Sequence, residues 1–247
     1  MLELDKIYNM DCIEGMKQLD SNCIDMILCD LPYGVTARNK WDIIIPFDKL
    51  WKQYERIIKD NGAIVFTATE PFSSELIVSN KILFRYDLIW KKPNPTGFLN
   101  SNRMPLRGHE QILIFYKKLP IYNPQMTDGR PYKANRSGRT SINYQDTKLT
   151  SGIYDGKRYP ISVIKFQRDK EKLHPTQKPL ALFEYLIKTY TNENDLVLDN
   201  CMGSGTTAVA CKQTNRRYIG FEISKEYCDI ANKRLDNVAL SKKLGEI

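Results

Sequence analysis

A chain of 247 residues with 42% hydrophobic content can bury one substantial core and carry a modest insertion, but not two complete domains. Its six cysteines include no C-x-x-C pair and there are only two histidines, so neither a metal site nor a disulfide framework has supporting spacing. The formal net charge of +8 suits a polyanionic partner, and the absence of a leader-like start or a membrane-length apolar run predicts a soluble, cytoplasmic protein.

From the N-terminus, short apolar runs alternate with amphipathic stretches, the pattern of a mostly parallel sheet covered by helices on both faces. The first run, residues 25–29 (DMILC), reads as a strand and leads directly into Asp30-Leu31-Pro32-Tyr33-Gly34. Open α/β sheets gather ligands at strand carboxyl ends, which makes this turn a candidate site, although Asp, Pro and Gly also build ordinary turns. Phe47, Leu50, Trp51, Tyr54, Ile57 and Ile58 then recur at helical spacing, with Pro46 before them and Gly62 beyond, predicting a crossover helix. Strands follow at residues 63–68 (AIVFTA), 86–90 (YDLIW) and 111–116 (QILIFY). Residues 90–99 (WKKPNPTGFL), with two prolines and a glycine, read either as an ordinary interstrand connection or as a mobile loop near a ligand site.

Residues 119–173 break the alternation, being rich in Gly, Asn, Ser, Thr, Tyr and basic residues without helical period. Arg130, Lys133, Arg136, Arg139, Lys148, Lys157 and Arg158 are interleaved there with Tyr132, Tyr144, Tyr154 and Tyr159, which suits contact with phosphates, sugars and bases. The chain is therefore divided into a first half (1–118), an insertion (119–173) and a second half (174–247) that completes one compact domain with the first. Helices are predicted at residues 180–189, at 206–213 and from Lys225 onward with Ser224 as N-cap, and strands at 196–199 (LVLD) and 218–222 (YIGFE).

The second candidate site is the run from Leu196 through Asp199-Asn200-Cys201-Met202-Gly203-Ser204-Gly205-Thr206-Thr207, a strand, a glycine-bearing turn and a helix start. Glu222 at the end of the next strand could grip two ribose hydroxyls. The third glycine of a dinucleotide fingerprint is replaced by Ala208, and Asp199 would lie where a pyrophosphate must sit, which disfavours a nicotinamide cofactor. A ligand bearing an ammonium group would find the same charge favourable. At the first turn, a carboxylate and a main-chain carbonyl could each accept one N–H of an exocyclic base amine, localising a lone pair that is otherwise delocalised into the ring. Pro32 would fix the Leu31 carbonyl, and Tyr33 offers a flat ring for stacking.

Together these segments resemble the DNA amino-methyltransferases, which carry a D/N/S-P-P-Y tetrad and a D-P-F-x-G-S-G-T-T-like cofactor segment. Their order, tetrad first and cofactor loop last, is similar to the circularly permuted beta group of that family. Arg107-Gly108-His109-Glu110 and His174-Pro175-Thr176-Gln177-Lys178-Pro179 also look like segments of that family. The resemblance covers nearly the whole chain and implies a Rossmann-like, S-adenosylmethionine-dependent methyltransferase fold. It implies a catalytic tetrad of Asp30, Leu31, Pro32 and Tyr33. It further implies a cofactor site in which Asp199, Gly203, Gly205 and Thr206 cradle the methionine part, with Cys201 and Ser204 in the same turn. Glu222 would then hold the ribose, Asp11 with Cys12 the adenine, and Lys178 the methionine carboxylate. Leu31 stands in place of a proline, and Asn200-Cys201-Met202 in place of P-F-x. No proline precedes a cysteine, so the nucleophile of cytosine C5 methylation is missing. In this family an Asp-initiated tetrad mostly accompanies adenine N6, with cytosine N4 and an RNA amine as alternatives. The implied reaction is direct displacement on a base flipped out of double-stranded DNA, within restriction-modification, with a homodimer implied by resemblance alone. His109 and His174 are read as structural.

Overall fold

The structure is a computed structural model that describes residues 2–34, 42–136, 150–169 and 177–244. In chain order it contains β1 (Lys6–Asn9), α1 (Cys12–Lys17), β2 (Ile24–Cys29), α2 (Phe47–Ile57), β3 (Ile58–Ala68), α3 (Phe72–Ser79), β4 (Phe84–Thr96) and β5 (Arg107–Phe115). There follow β6 (Thr127–Asp128), β7 (Tyr132–Arg136), β8 (Thr150–Tyr154), β9 (Lys157–Arg158), β10 (Val163–Lys165), α4 (Leu180–Tyr190), β11 (Leu196–Asp199), α5 (Thr206–Gln213), β12 (Arg217–Glu222) and α6 (Lys225–Leu244).

Eight strands form one sheet in the order β1-β12-β11-β2-β3-β5-β4-β10. All neighbours run parallel except β5, which is antiparallel to both β3 and β4. The expected mixed, mostly parallel α/β fold is what the chain adopts. Period-two alternation explains how the sheet is covered on both faces. Met26 and Leu28, Ala63 and Val65, and Ile112 and Ile114 share one core with Leu182 and Leu186 of α4, Ala208 of α5 and Ala231 of α6. Their neighbours Ile27 and Cys29, Ile64 and Phe66, and Leu113 and Phe115 share the other with Met16 of α1, Trp51 and Tyr54 of α2 and Phe72 of α3.

The crossover helix ends earlier than its apolar spacing suggests, because Ile58 leaves the helix and already pairs with Ile24. The ladder then resumes at Ala63 opposite Met26, so Gly62 sits in an irregularity of the strand and not in a helix-to-strand turn. Ser224 caps α6 as expected, accepting from the Tyr227 N–H at 3.4 Å. Among the described residues no helix is long and apolar enough to cross a membrane.

The chain divides into two compact units, Met1–Asn123 with Ser162–Ile247, and Pro124–Ile161. The second is narrower than the 119–173 insertion, because β10 belongs to the main sheet, pairing with β4 from Val163↔Ile89 onward. Among the described residues of Pro124–Ile161, β6 pairs with β9 and β7 with β8, both antiparallel. Tyr132 and Tyr154 stack across the second ladder with centroids 5.0 Å apart.

Candidate active site

The carboxyl ends of β1, β12, β11 and β2 lie side by side on one edge of the sheet, with Asn9 opposite Glu222 and Asp199 opposite Gly220. Asp11, Glu222, Asp199 and Asp30 follow at or just beyond these ends, so four carboxylates from distant parts of the chain meet along one rim. They line a single cavity of about 1190 Å³. That volume exceeds the ~300–1,000 Å³ of an ordinary small-molecule site, so it can hold a donor and an acceptor together. The turn after β2 and the turn after β11 thus open into a shared space. Of the sequence-predicted residues, Asp11, Cys12, Asp30, Leu31, Pro32, Tyr33, Lys178, Asp199, Cys201, Gly203, Ser204, Thr206 and Glu222 all line it.

Gly205 does not line the cavity. It starts α5 at φ +82°, and a Cβ there would come within 2.8 Å of the Ala231 Cβ, so this glycine lets α5 pack against α6. Gly203, at φ +53°, is the glycine that faces the cavity.

Asp199 is buried, its Oδ1 accepting from the Cys201 N–H at 3.0 Å and its Oδ2 from the Thr207 hydroxyl. Burial pushes its carboxyl up to about 6. Glu222 accepts from the Gly203 N–H at 2.7 Å and the Ser224 N–H at 2.8 Å, and burial raises its carboxyl also. Among the described residues no cation pairs with either. Two buried carboxylates that lack a counter-ion suit a ligand carrying an ammonium and hydroxyl groups. Asp11 caps α1 through Ile13 N at 2.9 Å and Glu14 N at 3.0 Å. The substituted Asn200-Cys201-Met202 segment is packed in its own way. Asn200 Oδ1 accepts from the Tyr54 hydroxyl at 2.6 Å, Asn200 Nδ2 donates to the Cys201 Sγ at 3.6 Å, and Met202 is buried in the core.

Asp30 is held by three donors. Its Oδ1 accepts from the Tyr33 hydroxyl at 2.6 Å and from Thr67 of β3, and its Oδ2 from the Lys178 ammonium at 2.7 Å. Lys178, expected at a methionine carboxylate or as a solvated helix-start residue, is only 7% exposed, and its charge is taken up by Asp30 and Glu110. Glu110 Oε2 lies 3.3 Å from Lys178 without directed hydrogen-bond geometry, while its Oε1 pairs with Lys92 at 2.9 Å. Burial raises the Glu110 carboxyl, but the two lysines outweigh it and hold the group below its ordinary range. Burial likewise lowers Lys178, and Asp30 with Glu110 outweigh it and hold the ammonium above its usual value. The result is a row of alternating charge, Asp30–Lys178–Glu110–Lys92, in which the two lysines are buried and the two carboxylates partly buried. Thr67, Lys92 and Glu110 belong to no role that the sequence alone assigns. Charged residues beside the apolar runs YDLIW and QILIFY are the signal that points to the last two, and the pairing of Trp90 with Glu110 brings them together. The Leu31 side chain is buried, and the Tyr33 ring packs on Phe72 at 5.0 Å between centroids.

In the Pro124–Ile161 unit, Arg130 and Lys133 are exposed, and among the described residues neither forms an ion pair. Lys157 pairs with Asp128, and Arg158 lies 4.4 Å over the Tyr132 ring and donates to the Arg130 carbonyl at 2.8 Å. Arg136 ends β7, while Arg139, Lys148, Tyr144 and His174 lie outside the described residues.

A DNA methylase family model matches residues 24–233. The type II methyltransferase M1.MboII of Moraxella bovis is 30% identical, with 98% of this chain and 100% of that protein covered. The structure of an M1.HpyAVI–SAM complex superposes with a TM-score of 0.63 at 27% identity, covering 93% of this chain and 98% of the other. PvuII DNA methyltransferase (cytosine-N4-specific) shares the fold, with a TM-score of 0.68 at 14% identity over 95% of this chain and 91% of its own. The chain belongs to the N6/N4 amino-methyltransferase family of DNA methylases.

Proposed function

We propose that the protein transfers a methyl group from S-adenosylmethionine to the N6 amino group of adenine in double-stranded DNA. The observation that carries this reading is the shared cavity, lined by Asp30 and Tyr33 and also by Asp199, Gly203 and Glu222. Asp199 takes the ammonium of the donor, Glu222 the ribose hydroxyls, and Asp11 with Cys12 the adenine of the cofactor. The bound donor supplies a sulfonium methyl for displacement.

The residues around Asp30 orient the acceptor. Its carboxylate and the Leu31 carbonyl each accept one N–H of the target amine, so the lone pair is directed at the methyl carbon. A nitrogen–carbon bond forms as the carbon–sulfur bond breaks, and the surplus proton leaves the nitrogen afterwards. Tyr33 provides the stacking surface for the flipped base. Positioning of this kind can supply roughly 7–11 kcal/mol of the barrier. Lys178, Thr67 and the Tyr33 hydroxyl act as positioning groups that fix the carboxylate, and Glu110 with Lys92 fix Lys178. Arg130 and Lys133 are proposed to contact DNA, with Lys157 and Arg158 holding the Pro124–Ile161 unit together, as part of a target-recognition insertion.

The test is incubation of DNA with donor labelled in its methyl group, followed by digestion to nucleosides. Label in N6-methyladenine is the expected result. Label in N4-methylcytosine would overturn the choice of base, and label taken up only by RNA would overturn the choice of nucleic acid.

A further inference from the structure

Four large apolar side chains, Phe98, Leu99, Met104 and Leu106, are exposed on the connection between β4 and β5. Phe98 is 78% and Leu99 98% exposed, at the tip of a 3-10 turn over Phe98–Asn100. Single exposed leucines are ordinary on protein surfaces, but such a cluster calls for a partner. The turn is not slack, because Asn100, Ser101, Arg103 and Met104 all donate backbone hydrogen bonds back to Gly97, Phe98 or Asn100. Gly97, at φ +94°, allows the reversal that presents the tip.

The base of this turn belongs to the rim of the active-site cavity. Thr96 pairs with Arg107 across the two strands, and both residues line the cavity. Lys92 donates to the Thr96 hydroxyl at 3.3 Å and pairs with Glu110, so the turn is tied to the charge row that ends at Asp30. Residues 91–109 contain Lys91, Lys92, Arg103 and Arg107 and no acidic residue. Lys91, Arg103 and Arg107 are exposed. An apolar tip flanked only by positive charge suits a stack of bases between phosphates. It suits a second copy of this basic chain poorly, since like charges would meet.

We infer that the Phe98–Leu99 tip is a wedge that enters the DNA base stack beside the target nucleotide and fills the gap left when that base turns into the cavity. The wedge rests on the methyltransferase reading and specifies how its substrate is opened. An inserted apolar side chain replaces the stacking that unpairing removes, and the opening cost is smaller when the base is already unpaired.

The experiment uses the full chain with Phe98→Ala and Leu99→Ala combined, a second variant with Leu99→Met, and a short duplex carrying a site methylated by the unsubstituted protein. With 2-aminopurine at the target position, the unsubstituted protein should raise fluorescence and the double alanine variant should not. On the matched duplex the double variant should lose about 10–100-fold in kcat. Opposite an abasic site it should recover to within about threefold of the unsubstituted protein, and Leu99→Met should stay near normal on both duplexes. Equal fractional loss on matched and abasic duplexes would overturn the wedge, as would conversion of a dimer to a monomer by the double variant. Failure of the unsubstituted protein to methylate any DNA offered, so that no such duplex can be chosen, would count against the methyltransferase reading. A wedge defect shows separately, as the ratio of matched to abasic rates.

Discussion

At the scale of single residues, the site depends on the surroundings of Asp30, Lys178 and Asp199. Asp30 has donors on both oxygens, so Asp30→Ala removes the proposed acceptor for the target amine and leaves the hydrogen bonds of Asp199 in place. A fall in kcat of about 10²–10³-fold or more, with donor Kd within about threefold of normal, is the outcome expected from rapid-quench and equilibrium-binding measurements. Lys178 separates two roles. If it positions Asp30, Lys178→Met lowers kcat with little change in donor Kd and Lys178→Arg restores part of the loss; a large rise in donor Kd would return it to the methionine carboxylate. Asp199 sets a pH dependence. Its folded carboxyl is raised to about 6 from an ordinary 3.8, so the stability it contributes to the ligand-free protein is complete below 3.8 and lost as pH rises through about 6. A bound ammonium favours the ionised form, so donor affinity should rise with pH, being about tenfold weaker at about pH 5 than at about pH 7.5. Titration calorimetry across this range should show the trend, and Asp199→Asn should flatten it.

At the scale of elements, apolar runs of five or six residues bounded by turn residues were readable as strands, and so DMILC, AIVFTA and QILIFY appear where the sequence places them. The pieces that were not readable are short or charged. KIYN of β1 and VIK of β10 take their strand character from parallel partners, β12 and β4, that lie far away in sequence. The six-residue α1 is defined by the Asp11 cap more than by any periodicity. The site was readable where a turn follows a strand, as at Asp30 and Asp199. It was not readable at Thr67, Lys92 and Glu110, because their approach to Asp30 depends on how β3, β4 and β5 pair. The small ladders of the Pro124–Ile161 unit carry a prediction of their own. Lys157 and Arg158 are engaged internally, whereas Arg130 and Lys133 are exposed. Replacing Arg130 and Lys133 by Ala should therefore weaken DNA binding and reduce the slope of log K against log salt by about 0.9 for each phosphate that is no longer neutralised. Fluorescence anisotropy over a salt series would measure it, and an unchanged slope would remove these residues from the interface.

At the scale of the whole molecule, the beginning and the end of the chain are joined by adjacent strands. β11, near the end of the chain, lies beside β2, near its beginning, with Leu198 opposite Ile27. That pairing brings two turns, 169 residues apart from Asp30 to Asp199, into the lining of one cavity. Order along the chain matters less here than order across the sheet, which is why a permuted arrangement can keep the same rim of carboxylates. The most direct test is inhibition by a bisubstrate compound in which adenine N6 is linked to the sulfur position of the donor. One bound molecule should compete with both DNA and S-adenosylmethionine, and both Asp30→Ala and Asp199→Ala should weaken it. Competition with only one of the two substrates would contradict the shared cavity.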